Sequence, residues 1–270
     1  MFTINTLSRL FFTIAFVICA FSLYGQENPL LEDYVLTSDN MNAGYAEKMD
    51  RLTKSFKHTK YKSEQVLLRA VFNKTHREFL KWYTPQADFH ELFQSGRYDC
   101  LTATALYSMV LAELGFSYTI YETNYHIFLT VHSKEGDFLF EATDPVNGFI
   151  ADPKEIKVRI AEYLNPTSPD TRKLYLNYAF ELFQKVEPEK LTGLLFFNRA
   201  VKAYNSQNIM QAVQYLEKAS VIYYSPRIDS FCPLLSEVCL SSQLDEAVKS
   251  ELVSRLARLK ADKAITISIR

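Results

Sequence analysis

Residues 96–116 read GRYDCLTATALYSMVLAELGF, and this stretch decides the fold. Asp99 is a good helix N-cap and Gly115 sits where a left-handed C-cap belongs, so a helix is expected from Asp99 to Leu114. Ala103, Leu106, Val110 and Leu114 would form its buried stripe. The helix puts Cys100 in its first turn, where unpaired backbone N–H groups and the helix dipole favour a thiolate. A thiolate is the nucleophilic form of cysteine, so this placement has a chemical use. The same position also suits a cysteine acting as a small buried hydrophobe. Asp99, a negative neighbour that consumes free donors, works slightly against the thiolate.

Downstream the period changes. Ser117–Glu122, His126–His132 and Asp137–Ala142 are short, rich in Thr, Tyr, Val, Ile and Phe, and read as strands, with a turn at Lys134–Asp137. Upstream, Ala46 to about Phe56 and Ser63 to Tyr83 carry apolar residues at helical spacing, the second stopped by Thr84-Pro85. Phe89, Leu92 and Phe93 suggest one further helical turn. Helices, then a buried helix, then an antiparallel meander make an α+β order, not a βαβ one. In the hairpin, His126 and Asp144 can lie near one sheet edge. A helix packed there by its N-terminus would bring Cys100 to them as nucleophile, base and orienting carboxylate.

At these residues the chain resembles the transglutaminase-like superfamily of papain-fold enzymes. That family's pattern is a Gly-Asp-Cys type motif opening a helix that ends at Leu-Gly, a His-apolar-aromatic-apolar strand, and a strand closing on Asp-Pro. Here the blocks stand in that order as Tyr98-Asp99-Cys100 with Leu114-Gly115, His126–Leu129, and Asp144-Pro145. The match covers roughly residues 95–148. Tyr98 stands where the family often has Gly, and Val146 where Thr is common. The resemblance implies a papain/transglutaminase-like core, in which a Cys-bearing helix packs on a small antiparallel sheet, and a Cys100-His126-Asp144 triad acting on peptide or isopeptide amides. The Cys100 N–H is the natural first oxyanion donor. Gln94, six residues before Cys100, has the spacing of a papain-like oxyanion glutamine, and an exposed loop residue is the alternative. Tyr98 and Tyr125 are candidates to frame the entrance.

The rest of the 270 residues set the context. Residues 1–25 follow the order of a signal peptide: one basic residue at Arg9, an apolar run Leu10–Phe21, then Gly25 before a polar exit. Val17 and Ile18 are too bulky before Cys19 for lipid attachment. Export to the periplasm or medium is therefore expected, with no stable membrane anchor after cleavage. The mature chain would keep Cys100, Cys232 and Cys239, an odd count that leaves a thiol. On one helix, Cys232 and Cys239 would be about 10 Å apart, too far for a disulfide. They are expected to fill a helical core. A net charge of −1 gives no pull toward nucleic acid. Neither paired Cys-x-x-Cys nor His at i, i+4 marks a metal site, and no cofactor is implied.

Residues 26–43 read as an irregular lead-in, 44–164 as the transglutaminase-like domain, and 169–270 as an all-α region of helical hairpins. Helices are expected over Thr171–Lys185, Leu191–Tyr204, Met210–Tyr223, Pro233–Leu240 and Asp245–Lys260. Ala200, Ala212, Leu216 and Ala219 fall close to the small/large pattern of a tetratricopeptide repeat, which this stretch resembles. Region 191–226 is then either a surface for a protein partner or a hairpin packed on the core. Three functions stay open: a thiol hydrolase or acyl-transferase with a peptide or protein substrate, an inactive binding module of the same fold, and a helical-repeat scaffold.

Overall fold

A computed structural model describes residues 29–38, 44–164 and 182–268. The expected signal peptide lies outside them. Helix α1 (Pro29–Leu36) falls in the supposed irregular lead-in and buries Leu31, Tyr34 and Val35. Its shortness hides any period, and it is held from a distance, the Tyr34 hydroxyl donating to the Pro188 carbonyl at 2.7 Å. Helix α2 spans Gly44–Lys57 and α3 spans Glu64–Phe79, with the Ser63 side chain accepting from the Val66 amide. The helix expected to reach Tyr83 stops at Phe79. Trp82–Tyr83 (β1) leaves it to pair in parallel with Arg97–Tyr98 (β2), and α4 (Glu91–Gln94) lies between them.

Helix α5 (Cys100–Glu113) is the centre of the molecule. Every residue from Leu101 to Leu111 is buried, where a single stripe was expected. A helix apolar all round is buried all round, and the small Ala103 and Ala105 let its neighbours approach. Gly115 closes it at φ +77°, a conformation that favours glycine.

Strands β3 (Ser117–Thr123), β4 (Ile127–Ser133), β5 (Gly136–Phe140) and β6 (Phe149–Ile150) then form an antiparallel meander. Ile127, Leu129 and Val131 face the main core with α5. Phe128 faces the other side, where it joins Leu139, Ile150 and Ile156 of α6 (Pro153–Leu164). Burial on both faces is why β4 reads as an almost unbroken apolar run rather than an alternation.

Strand β7 (Phe183–Val186) pairs antiparallel with β3, completing the order β6-β5-β4-β3-β7. Phe183–Lys185 fall within the helix expected over Thr171–Lys185, whose earlier part lies outside the described residues. Four short residues offer no period to separate strand from helix, and the free edge of β3 decides. The chain is thus α+β, with one five-stranded antiparallel sheet.

The C-terminal part is helical: α7 (Leu191–Asn205), α8 (Ile209–Ile222), α9 (Pro226–Ser241) and α10 (Glu246–Ser268). Helix α9 begins at Pro226, capped by the Ser225 hydroxyl, so Pro233 lies inside it rather than at its start. An interior proline costs about 3 kcal/mol. Ile228, Phe231, Cys232, Leu235 and Cys239, all at most 1% exposed, form a continuous buried stripe that offsets this. Ala200 and Ala203 of α7 pack with Ala212, Leu216 and Ala219 of α8 in the same core.

The helical region is seated on the sheet domain. Glu122 of β3 is fully buried, accepts the Tyr223 hydroxyl at 2.7 Å and the Ser225 hydroxyl at 2.9 Å, and is ion-paired with Arg227 at 2.9 Å. Arg227 also donates to the Thr123 carbonyl at 2.6 Å. Asp88 holds Lys202 of α7 at 2.6 Å. No helix among the described residues is long and apolar enough to cross a membrane.

Candidate active site

Cys100 is the first residue of α5, half-buried at the mouth of a cavity of about 30 Å3. Asp99 caps the helix: its Oδ1 accepts from the Thr102 amide at 2.8 Å, while the Thr102 hydroxyl accepts from the Asp99 amide at 2.9 Å. The Asn198 side-chain amide of α7 donates to Asp99 Oδ2 at 2.7 Å. Burial pushes the Asp99 carboxyl up to about 6, although bonds from Thr102, Leu101 and Asn198 favour its charge. The cap takes the Leu101 and Thr102 amides and leaves the Cys100 N–H at the helix mouth, where an oxyanion donor belongs.

His126 closes the tight turn before β4, with its amide donating to the Thr123 hydroxyl at 3.0 Å and its carbonyl accepting from the Thr123 amide at 2.8 Å. The Thr104 hydroxyl of α5 donates to the Ile127 carbonyl at 3.3 Å, tying the helix to this end of β4. Cys100, in the first turn of α5, lies near enough to His126 to favour the charged imidazole. The partner of the ring is Glu141, whose Oε2 lies 2.6 Å from His126 Nε2.

Glu141 is the carboxylate at His126; Asp144 is not. Asp144 Oδ1 accepts the amides of Val146 at 3.2 Å and Asn147 at 2.8 Å, and its Oδ2 pairs with Arg159 at 3.6 Å. It caps the turn after the strand. The reason is register. Leu129 lies opposite Phe140, so Glu141 falls opposite Phe128, diagonal to His126 and on its face. Asp144 runs past the strand end with the other parity. The alternation was legible in the sequence once the Lys134–Asp137 turn fixed the pairing, and it is the signal that would have found Glu141.

The Glu141 side chain is only 2% exposed and its two oxygens are fully used. Besides His126, Oε2 accepts the Tyr163 hydroxyl of α6, and Oε1 accepts the Thr143 amide at 2.9 Å and the Thr143 hydroxyl. Burial opposes the charge, but His126 and these donors outweigh it and hold the carboxyl well below its ordinary range. Burial also opposes the imidazolium. The Glu141 charge and the bonds to Cys100 and Glu141 overcome it and raise His126 well above its ordinary value. The arrangement thus favours the protonated form of the imidazole beside Cys100. Tyr163 and Thr143 belong to this unit and carry no motif that sequence reading could seize.

The remaining candidates separate. Gln94 is exposed on α4, donates to the Tyr45 hydroxyl at 2.6 Å, and lines a different cavity. Its place is taken at the Cys100 cavity by Gln86, which adopts a left-handed φ of +53°. Such a conformation costs a non-glycine residue about 1 kcal/mol and clusters at functional sites. Tyr125 lines the cavity. Tyr98 is buried against the rings of Tyr83 and His76, and half-exposed Tyr83 takes the rim position. Leu194, Asn198 and Arg227 complete the wall from the helical region, whose contribution the expected boundary between residues 164 and 169 conceals.

No family model, curated protein or solved structure matches this chain. Among the described residues no cluster of three or more His, Cys, Asp or Glu is arranged to hold a metal ion.

Proposed function

We propose that the chain is an exported thiol hydrolase or acyl-transferase of the transglutaminase-like type, with a papain/transglutaminase-like core, acting on peptide or isopeptide amides. The observation that carries this is the relay from Cys100 at a helix N-terminus through His126 to buried Glu141. Cys100 attacks the amide carbonyl as a thiolate, forming a C–S bond, and the oxyanion meets the Cys100 N–H. His126 gives its proton to the departing amine as the C–N bond breaks. Water or a second amine then attacks the thioester, with His126 as base, and the thiolate returns. Glu141 orients the ring and stabilises its cation without bonding to substrate. Gln86 faces the same cavity with an amide N–H that suits a second oxyanion donor.

A second reading is a binding module whose chemistry is unused. The size of the cavity favours it: about 30 Å3 holds roughly one water, too little for a peptide side chain. The scaffold reading for region 191–226 is less supported, because Leu191, Leu194 and Leu195 of α7 are spent in the main core.

The test is a panel of peptide amides and isopeptides with wild-type and Cys100→Ala protein, with acyl-enzyme trapping by mass spectrometry. Turnover with a mass adduct on Cys100, abolished by Cys100→Ala, is expected. A Cys100→Ala protein that still turns over the same substrate overturns the hydrolase reading and promotes the binding module.

A further inference from the structure

A second and much larger cavity, about 470 Å3, opens between α2, α3 and the turn from α4 to β2. It shares no lining residue with the Cys100 cavity. Its floor is apolar, built from Leu52, Phe79, Leu92 and Phe93, and around it stand Lys48, Arg51, Lys74 and Lys81 with a single carboxylate, Glu78. Two of the cations are occupied. Lys48 donates to the Phe93 carbonyl at 2.5 Å. Lys74 donates to the Ser55 hydroxyl at 2.7 Å, lies 3.8 Å from Glu78 and sits over the Phe56 ring. Arg51 and Lys81 have no carboxylate within ion-pair distance among the described residues.

Four cations around one carboxylate repel one another, and a fold keeps such a group at low cost only in water or against an anion. Lys81 is moreover held in place. Its amide donates to the Gly96 carbonyl at 2.8 Å, and its methylenes lie across Gly96 so closely that a Cβ there would meet them at 2.9 Å. Glycine at 96, with φ +75°, leaves the room in which this side chain runs along the cavity wall. The volume falls in the range of small-molecule sites, about 300–1,000 Å3.

We propose that this cavity binds a small, multiply charged oxyanion, phosphate- or carboxylate-bearing, with Arg51 and Lys81 as its charged contacts and the apolar floor under its carbon skeleton. The Arg51 fork matches two oxygens of such a group, and Lys81 supplies a point charge beside it. This ligand is separate from the amide substrate at Cys100.

The test is an amide-resolved NMR titration of the purified chain with sodium pyrophosphate and, in a parallel arm, sodium citrate, both at ionic strength held constant with sodium chloride. Saturable shifts over residues 48–55 and 78–96 are expected with at least one probe, and the stronger arm identifies the phosphate or the carboxylate class. Arg51→Ala with Lys81→Ala weakens binding about tenfold or more, whereas Arg51→Lys, which keeps the charge and loses the fork, weakens it by a smaller factor. Both residues are exposed, so melting temperature and the alkylation rate of Cys100 stay at wild-type values. Absence of saturation with either probe, shifts reproduced by sodium chloride alone, or equal binding by the double alanine protein overturns the proposal.

Discussion

Tyr163 and His126 share one oxygen of Glu141: the Tyr163 hydroxyl and His126 Nε2 both reach Oε2, and their rings lie 4.8 Å apart. The sharing fixes the imidazole from two sides, since Glu141 sets its hydrogen-bond direction and Tyr163 limits its tilt. Helix α6 covers the outer face of the sheet and reaches the proposed chemistry through Tyr163.

The first prediction separates the two carboxylates. Glu141→Gln removes the charge that stabilises imidazolium and should lower kcat/KM by about 10²- to 10⁴-fold. Asp144→Asn keeps a turn-capping side chain and should stay within about threefold of wild type. Tyr163→Phe loses one bond to a charged group, a loss of about tenfold. Steady-state kinetics on an acylating substrate checks all three; equal damage from Asp144→Asn and Glu141→Gln would return Asp144 to the relay.

Thiol reactivity gives a test that needs no substrate. Cys232 and Cys239 are 1% and 0% exposed, and burial raises the Cys239 thiol, so iodoacetamide should modify Cys100 first. Peptide mapping by mass spectrometry reads the order. His126→Ala should slow the Cys100 reaction at neutral pH without speeding the other two. Labelling of Cys232 ahead of Cys100 would count against an activated thiol.

The pH dependence of stability follows from the same pair. His126 is raised from 6.5, so its contribution is complete below pH 6.5 and is lost as pH rises through the higher folded value. Glu141 is lowered from 4.5 to about 2, so its contribution is complete above pH 4.5 and is lost as pH falls through about 2. The melting-temperature gap between wild type and Glu141→Gln should therefore be widest between about pH 4.5 and 6.5 and narrow on either side. A gap that does not change with pH would show the pair to be uncharged in the folded protein.

Docking of the helical region depends on Glu122 and Arg227, whose side chains are 0% and 13% exposed. Arg227→Ala leaves a buried carboxylate uncompensated, which costs about 3–5 kcal/mol. Glu122→Gln with Arg227→Met removes both charges and should recover most of that loss. Chemical denaturation of the three proteins measures the difference. Arg227→Ala should also increase hydrogen exchange at the ends of β3 and β7, where the helices are anchored.

Gly148 makes a backbone prediction. A Cβ there would stand 2.1 Å from the Glu141 carbonyl oxygen and 2.3 Å from that of Asp144. Gly148→Ala must therefore shift the segment that carries Glu141, and activity should fall further than the melting temperature does. Wild-type kinetics in this variant would show that the segment adapts freely.

Local chemistry in the sequence was enough for the central helix and the three main strands. Asp99 and Gly115 cap α5 by their own side-chain and backbone preferences, and the change from helical to alternating period marks the sheet. Such signals act within a few residues, and tertiary contacts do not alter them. What the tertiary structure decided involves partners far apart in the chain. Glu141 rather than Asp144 meets His126 because strand register, not motif order, sets which carboxylate shares the imidazole's face. Gln86 rather than Gln94 lines the Cys100 cavity because β1 and β2 pair across α4 and place the two glutamines at different cavities. Strand β7 and helix α1 have no period of their own: β7 pairs with the edge of β3, and α1 is tied by the Tyr34 hydroxyl to the Pro188 carbonyl. The wall that Leu194, Asn198 and Arg227 add to the site has the same origin: burying Glu122 requires Arg227, and that contact joins residues 105 positions apart in the sequence.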